Sequence, residues 1–377
     1  MNTIFQAGEQ SFSADKRILI IAEIGTSHNG DKHKAQELVS AAKASGADAV
    51  KFQIVYADEI LHPNTGFVDL PTGRIPLYER FKQLECPPDF YAELAQYTRR
   101  QGMLFAASVF GTQSAQELQA LDPAFIKIAS PELNHFPLLK AVAHCGKPII
   151  LSSGVSRLAD IEKAFTVLEQ EGCPSEQCAL LHCITAYPAP ETEYNTAVLP
   201  ALSALFHCAA GISDHSLDPA AVPIAGMLSG ASIIEKHICL SRSDKGLDDP
   251  VALEPAQFAS MVTHVRALEG KSRADTLSYA AAHGYAADFL QEIIGTGEKK
   301  LAAAEKANYG KTNRSIHYCT ALPAGTVLAP SDLALLRTEK NLNPGEAPEY
   351  MDYFIGAVLQ KNVTSGAGAV FNDIIKR

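Results

Sequence analysis

Between about residues 18 and 270, short β-prone runs alternate with stretches of helical periodicity, and this alternation strongly limits how the chain can fold. Strands separated by helices form a parallel sheet, because each helix returns the chain to the same end of the sheet. The predicted strands are Ile18–Gly25, Ala49–Val55, Leu104–Val109, Phe125–Ser130, Pro148–Gly154, Cys178–Cys183, Cys208–His215 and Ser232–Ile238. Eight such units in roughly 250 residues predict a closed (β/α)8 barrel, the TIM-barrel fold.

The segments between these strands favour helices. Amphipathic or alanine-rich helices are predicted at Lys34–Ser45, Pro88–Gln101, Arg157–Glu171, Pro219–Leu228 and Pro255–Leu268. The first strand ends in Glu23-Ile24-Gly25-Thr26-Ser27-His28, which is not the G-x-G-x-x-G fingerprint of a dinucleotide-binding fold. We therefore prefer the closed barrel to an open doubly wound sheet.

The amino-acid composition and the predicted secondary structure change after the barrel. Residues 281–311 are rich in Ala, Lys and Glu and are interpreted as a helical linker, which leaves 1–280 for the barrel. The tail, 312–377, has short β-like runs at Ser315–Thr320 and Phe354–Val358, separated by Pro- and Gly-containing turns. A tail of about 65 residues is near the lower limit for independent folding, so we expect it to dock on another surface.

Composition excludes several classes of partner. Lys and Arg number 32 against 42 Asp and Glu, a net charge of −10, which argues against binding to nucleic acid or to an anionic membrane surface. No apolar run approaches the roughly 18 residues of a membrane span, and residues 1–17 lack the apolar core of a signal peptide. We expect a cytoplasmic protein whose cysteines are mostly buried free thiols.

Each predicted strand keeps an apolar run and becomes polar at its carboxyl end. In a (β/α)8 barrel these ends meet at the face that carries the active site. Lys51, Lys127 and Lys236 lie there, and buried lysines require anionic partners. With hydroxyls at Ser108, Ser130, Ser152, Ser153 and Ser213, they predict a binding site for a phosphate and a carboxylate.

His215 and His237 end neighbouring strands, the seventh and the eighth. Neutral imidazoles in this arrangement can share a divalent metal with oxygen ligands from substrate or water. The carboxylates of Glu23 and Asp248 are expected nearby, which favours Mn²⁺ or Mg²⁺.

Several motifs resemble those of the sialic acid synthase family. They are Ala22-Glu23-Ile24-Gly25 with His28-Asn29-Gly30-Asp31, Lys51-Phe52-Gln53, Lys127-Ile128-Ala129-Ser130 with Glu132 and Asn134, Leu181-His182-Cys183 with Tyr187-Pro188, Gly211-Ile212-Ser213-Asp214-His215-Ser216, Gly230-Ala231-Ser232-Ile233-Ile234-Glu235-Lys236-His237, and Asn313-Arg314-Ser315-Ile316. The tail resembles that family's antifreeze-like (SAF, β-clip) domain. The resemblance implies a metal-dependent N-acetylneuraminate synthase-like transferase. Such an enzyme condenses phosphoenolpyruvate with an N-acyl hexosamine, such as N-acetylmannosamine, to a nine-carbon 2-keto sugar acid and phosphate.

The resemblance also implies roles for individual residues. His215 and His237 would bind the metal, and Glu23 would lie by the reacting carbonyl or a metal-bound water. The other implied residues bind substrate: Lys51, Lys127, Ser130, Ser152 and Ser213 for phosphoenolpyruvate, and Gln53, Tyr187 and Asp248 for the sugar. Ser108, Glu132 and Lys236 complete our predicted substrate-binding set. Arg314 would reach the sugar N-acyl group from a second subunit, which implies a domain-swapped homodimer.

The sequence departs from the family pattern at a few positions. Thr185 stands where many members have Asn, Asp249 where His is common, and Arg337-Thr338 where Arg-Pro is usual, and Leu61–Glu85 lacks the pattern that supplies a sugar-binding Asn. These departures leave the identity of the sugar substrate undetermined. Two other functions stay open: a Schiff-base pyruvate aldolase using Lys127 or Lys236, and a sugar-binding relative without turnover.

Overall fold

A closed barrel of parallel strands forms the centre of the molecule. The structure, a computed structural model, describes residues 3–70, 73–244 and 246–375, and within them eight strands close the barrel, each pairing with the next along the chain. The strands are β1 (Leu19–Gly25), β2 (Ala49–Ile54), β3 (Leu104–Val109), β4 (Phe125–Ile128), β5 (Ile149–Ser152), β6 (Cys178–Cys183), β7 (Ala209–Asp214) and β8 (Ile233–His237). Closure occurs where β8 pairs with β1, with His237 opposite Glu23. The predicted barrel is confirmed.

Helices surround the barrel and continue into the C-terminal part of the chain. They are α1 (Lys32–Ala44), α2 (Ala57–Ile60), α3 (Leu77–Lys82), α4 (Pro88–Arg100), α5 (Thr112–Ala120), α6 (Phe136–Ala143), α7 (Leu158–Gln170), α8 (Leu199–Phe206), α9 (Ala221–Leu228), α10 (Pro255–Leu268), α11 (Arg273–Ala282), α12 (Ala287–Ile294) and α13 (Met351–Phe354). The Asp31 carboxylate caps α1 by accepting the backbone N–H groups of His33 and Lys34. None of the helices in the described ranges is long and apolar enough to cross a membrane.

Side-chain alternation along the strands divides the barrel interior into layers. Along β1, Leu19 and Ile21 point inward at the lower levels and Glu23 points inward at the top. The residues between them, such as Ile20 and Ala22, pack outward against the helices. The other strands follow the same order, so the barrel interior is apolar at its lower levels and polar at the carboxyl ends of the strands, here called the barrel mouth.

An N-terminal hairpin covers the other end of the barrel. Phe5–Ala7 pairs with Gln10–Phe12, and Phe5 and Phe12 are fully buried in the lower barrel core. The Phe5 ring meets the Phe125 ring edge to face at 6.2 Å between centroids. The hairpin therefore shields the barrel floor from water, a role the sequence did not indicate.

The C-terminal domain contains two small antiparallel sheets. Strand β9 (Arg314–Tyr318) pairs with β10 (Leu333–Arg337), and β11 (Val358–Leu359) pairs with β12 (Ile374–Ile375). The predicted strand at Phe354–Val358 is wrong, because Phe354 ends a helical turn and Gly356 has a left-handed φ of 80° that interrupts an extended chain.

The C-terminal domain lies on the barrel mouth of its own chain. Thr65 donates a hydrogen bond to the Thr338 carbonyl at 3.0 Å, and Leu61 forms a β-bridge with Arg337. Another hairpin, Phe67–Leu70 paired with Gly73–Pro76, lies in the long segment after β2. Residues 295–313, here called the connecting segment, lead from α12 to β9. Within this segment only Ala303–Glu305 forms a helical turn among the described residues.

Candidate functional site

A cavity of about 340 Å³ opens at the carboxyl ends of the barrel strands. Most of the predicted site residues line it: Glu23, Lys51, Gln53, Ser108, Lys127, Ser130, Ser152, Tyr187, Ser213, His215, His237 and Asp248. They converge because inward-facing positions at one level of a parallel barrel face a common axis.

The floor of the cavity is an alternating set of buried charges. Lys127 Nζ lies 3.3 Å from Glu235 Oε1, and Lys51 Nζ lies 3.8 Å from Glu235 Oε2. Lys51 also pairs closely with Glu23, whose other oxygen accepts a hydrogen bond from Gln53 at 2.8 Å. Two lysines and two carboxylates, all at most 4% exposed, therefore share one pocket.

Glu235 was not among the predicted site residues, yet it joins the two lysines. The signal was present, because Glu235 precedes His237 by two positions on β8 and so faces the same way. Burial acts to raise the pKa of Glu235, but Lys127 and Lys51 outweigh it and the pKa is lowered. Glu235 is therefore ionised at neutral pH.

The pKa of Glu23, unlike that of Glu235, is raised. Burial raises it to about 7, and the nearby charge of Glu235 adds to the rise, against the opposing effects of Lys51 and Gln53. Burial also lowers the pKa of Lys127. Two carboxylates in one pocket are thus separated in pKa, and such a separation is typical of acid–base pairs in active sites.

Hydroxyl groups flank the lysines. Lys51 donates to Ser108 Oγ at 3.1 Å, and Lys127 donates to Ser152 Oγ at 2.7 Å. Ser130 Oγ accepts the backbone N–H of Gly154 at 2.9 Å. Ammonium groups with hydroxyl and backbone donors around them suit a phosphate or carboxylate group.

The histidine pair lies above these groups. The rings of His215 and His237 are 5.5 Å apart between centroids, and the Tyr187 ring stacks on His215 at 4.2 Å. His215 Nδ1 lies 2.9 Å from the Ile184 carbonyl, so it carries the proton and leaves the Nε2 lone pair free. Burial lowers the pKa of both histidines, which keeps them neutral.

The donor set fits an open divalent-metal site with two protein ligands. His237 Nδ1 is buried without a hydrogen-bond partner, and Asp248 Oδ2 lies 3.9 Å from it. Within residues 3–70, 73–244 and 246–375 no group of three or more His, Cys, Asp or Glu is arranged to hold a metal. Any metal here would need oxygen ligands from substrate or water.

The prediction that Lys236 reaches the mouth is wrong. Lys236 lies between Glu235 and His237 on β8, so it points out of the barrel, where it pairs with Asp214. Its ammonium also donates to the Ser216 and Asp218 carbonyls at 3.0 Å. Lys236 thus holds the turn after β7 and contacts no cavity group.

Glu132 and Arg314 also lie outside the cavity. The Arg314 guanidinium pairs with Glu132 at 2.9 Å and donates to the carbonyls of Phe110 and Leu335, at 2.9 and 3.1 Å. Both charged groups are fully buried. The predicted sugar-binding role of Arg314 is therefore corrected, because its donors are already used within the chain.

Of the two arginines, Arg314 and Arg337, it is Arg337 that lines the cavity. It pairs with both carboxylate oxygens of Glu132, at 2.8 and 2.9 Å, and lines the cavity roof. Arg337-Thr338 was noted in the sequence only as a departure from Arg-Pro, so Arg337 was not predicted to reach the cavity. Other roof residues come from distant parts of the chain: Asn308, Thr312, Glu339 and Lys340.

Arg314→Ala is expected to reduce stability more than substrate affinity. Breaking a fully buried ion pair costs about 3–5 kcal/mol, and slightly less is expected here because Glu132 keeps Arg337. Thermal unfolding measures the first effect and the KM for substrates measures the second. A large rise in KM with an unchanged Tm would contradict this assignment.

Fold and site together define a TIM-barrel protein with two buried lysines at its mouth, beneath a small C-terminal domain. The chain belongs to the NeuB family, whose model matches residues 38–274, and a SAF domain matches residues 313–375. The resemblance found in the sequence is thereby confirmed.

The chain is similar to two curated relatives over nearly its full length. The spore coat polysaccharide biosynthesis protein SpsE of Bacillus subtilis is 30% identical over 98% of this chain and 97% of its own. The N,N'-diacetyllegionaminic acid synthase of Legionella pneumophila is 31% identical over 94% of each chain. The crystal structure of the Bacillus protein aligns with a TM-score of 0.82 over all of both chains, at 30% identity.

Proposed function

We propose that this chain is a synthase that condenses phosphoenolpyruvate with an open-chain N-acyl hexosamine, giving a nine-carbon 2-keto sugar acid and phosphate. The observation that carries the proposal is the buried Lys51–Glu235–Lys127 array with its serine hydroxyls, in the same cavity as the histidine pair. Membership of a family that contains named sugar-acid synthases supports it.

The lysines and hydroxyls bind phosphoenolpyruvate. Its phosphate and carboxylate carry negative charge that Lys51 and Lys127 offset, and Ser108, Ser130 and Ser152 donate the remaining hydrogen bonds. Carbon three attacks the sugar aldehyde and forms the new C–C bond, leaving positive charge at carbon two. The same lysines stabilise the phosphate as it departs.

Glu23 handles a proton in the next step. Water adds to carbon two and the Glu23 carboxylate accepts one of its protons. The C–O bond to phosphate then breaks, the phosphate takes the proton of the new hydroxyl group, and the ketone forms. The proton held by Glu23 passes to the former aldehyde oxygen, which becomes a sugar hydroxyl. Gln53, hydrogen-bonded to Glu23, fixes the direction of the carboxylate.

The sugar occupies the upper part of the cavity. Gln53, Tyr187 and Asp248 offer groups for its hydroxyls, and the Arg337 guanidinium above them suits the carbonyl oxygen of an N-acyl group. A divalent metal, Mn²⁺ or Mg²⁺, held by His215 and His237 would supply Lewis-acid polarisation of the aldehyde oxygen.

The test is phosphate release by the purified chain with phosphoenolpyruvate, Mn²⁺ and a panel of sugars: N-acetylmannosamine, its 6-phosphate and diacetamido hexoses. We expect release that requires phosphoenolpyruvate and at least one sugar. No release above background with any sugar would overturn the proposal, and sugar binding by calorimetry without release would then favour a non-catalytic relative.

A Schiff-base pyruvate aldolase is the second candidate function. The lowered pKa of Lys127 favours it, because a lower pKa increases the uncharged fraction of the amine, the form that reacts to an imine. Borohydride treatment with pyruvate separates the two chemistries: a covalent adduct on Lys127 would support the aldolase, and we expect none.

Removal of either histidine is expected to weaken metal binding. His215→Gln or His237→Gln should lower the Mn²⁺ affinity by at least about tenfold, since each supplies one of only two protein donors. Calorimetry with Mn²⁺ reads this without turnover. His264→Gln, outside the cavity, is the control and should bind Mn²⁺ like the wild type. Equal affinity in all variants would contradict the assignment.

We further propose that two copies exchange their C-terminal domains. The contacts between domain and barrel that lie within one chain here would then form between two subunits, and Arg337 would reach the cavity of the other subunit. Mixing unfolded Glu23→Gln and Arg337→Ala chains and refolding them together tests this. If the domains exchange, a dimer of one chain of each kind has one site that combines an intact barrel with an intact domain. About half of the dimers in an equal mixture are of this kind, so about a quarter of wild-type activity should be restored. Restoration of none would show that each domain serves its own barrel.

A further inference from the structure

The connecting segment carries a carboxylate that none of the proposed chemistry uses. Glu305 is 1% exposed, and it lies between the two stretches that match known families, 38–274 and 313–375. A carboxylate so deeply buried needs partners that compensate for its lost hydration. In Glu305 these partners are backbone N–H groups from two different barrel loops.

The Glu305 carboxylate joins the loops that follow β5 and β6. Its Oε2 accepts the backbone N–H of Thr185 at 2.9 Å and that of Val155 at 3.1 Å. Its Oε1 accepts the N–H of Ala302 at 3.3 Å, which fixes the carboxylate within its own segment. One side chain thus holds two loops at a set distance from each other.

Two asparagines of the same segment complete the attachment. Asn313 Nδ2 donates to the Val155 carbonyl at 3.1 Å, and Asn308 Nδ2 donates to the Thr185 carbonyl at 3.1 Å. Both backbone groups of both loop residues are therefore satisfied by the connecting segment. Loops usually find such partners in water or in their own turns.

Val155 shows why the loop needs external support. It is a β-branched residue with a left-handed φ of 43°, a conformation that persists only where the surroundings impose it. The hydrogen bonds from Glu305 and Asn313 supply that constraint on each side of the Val155 residue.

The neighbouring Gly154 connects this loop to residues that line the cavity. Its N–H donates to Ser130 Oγ at 2.9 Å, and a Cβ at this position would lie 2.3 Å from Thr185 Oγ1. Ser130, Ser152 and Thr185 all line the cavity beside Lys127. A shift of the loop would move the hydroxyl wall that faces the phosphate.

We infer that Glu305 is a positioning residue that sets the hydroxyl wall on the phosphoenolpyruvate side of the cavity. The identity of the substrate in this inference rests on the proposed function, whereas the contacts of Glu305 do not depend on it. Because Glu305 belongs to the segment leading into the C-terminal domain, it links the placement of that domain to the order of the wall.

Steady-state kinetics of Glu305→Ala test the role in catalysis. We expect the kcat/KM for phosphoenolpyruvate to fall by about 10- to 100-fold, the cost of a small misplacement of binding groups, while the KM for the sugar stays within about twofold. Glu305→Gln keeps one carbonyl oxygen for both loop N–H groups and should recover most of the loss. Glu298→Gln, an exposed glutamate of the same segment, is the matched control.

Hydrogen–deuterium exchange separates this inference from the proposed function. In Glu305→Ala, exchange should rise in residues 152–156 and 183–187, with or without any turnover, and it should not rise in Glu298→Gln. If wild-type protein shows no turnover but the exchange pattern holds, the proposed function fails and the positioning role stands. Unchanged exchange in both loops, or equal losses for both substrates, would overturn the positioning role.

Discussion

Lys127→Met is expected to lower the kcat/KM for phosphoenolpyruvate by about 10²–10³-fold, the typical cost of removing one charge-stabilising group from a dry active site. Lys127 lies 3.3 Å from Glu235 and 2.7 Å from the Ser152 hydroxyl, and in the proposed reaction it would offset the charge of the phosphate. Methionine keeps the length of the side chain and removes only the ammonium. Phosphate release at varied phosphoenolpyruvate gives the measurement.

The matched control is Lys236→Met. Lys236 is as buried as Lys127, at 1% against 2% exposure, but it points away from the cavity toward Asp214. This variant should lose Tm, because Asp214 is left buried without its partner, while the folded protein keeps its constants for phosphoenolpyruvate within about twofold. Equal kinetic losses in the two variants would contradict the assignment of Lys127 to the site.

Glu23→Gln should remove most of the turnover and change its pH dependence. A general base contributes about 10²–10⁴-fold, so we expect kcat to fall within that range with little change in either KM. Glu23 has a pKa of about 7 and accepts a proton only when ionised. Wild-type kcat/KM, which reports groups of the free protein, should therefore rise with pH through about 7, and the rise should be absent in the variant.

The comparison of pH profiles identifies the group directly. Gln53 and Lys51 stay in place in Glu23→Gln, so the cavity keeps its shape and most of its charge. A variant that retains the same midpoint near neutral pH would assign the titration to another group. A fall in kcat of less than about tenfold would exclude Glu23 as the base.

The alternation of strands and helices was enough to predict the barrel, and side-chain period placed most of the site. The period rule also sorts β8 correctly, since it sends Glu235 and His237 inward and Lys236 outward. Lys236 was predicted at the mouth because it was grouped with Lys51 and Lys127 as a lysine that binds an anion, although its position on β8 faces outward. The lower layers follow the same logic, with Leu19 and Ile21 beneath Glu23.

Long-range docking explains what local patterns could not predict. Arg337 reaches the cavity roof only because the C-terminal domain packs on the loops after β2, and Arg314 is occupied by Glu132 for the same reason. Glu305 has no motif of its own; its role depends on two loops more than 100 residues away. The N-terminal hairpin was not predicted either, because each of its strands has only three residues.

The most direct test of the central claim is a crystal structure of the chain soaked with phosphoenolpyruvate and Mn²⁺. We predict that the phosphate lies within hydrogen-bonding distance of Lys51 or Lys127 and of the Ser130 or Ser152 hydroxyl. It also predicts an anomalous peak for the metal between His215 and His237. Phosphoenolpyruvate bound outside the barrel mouth, or a metal held by other residues, would contradict the account.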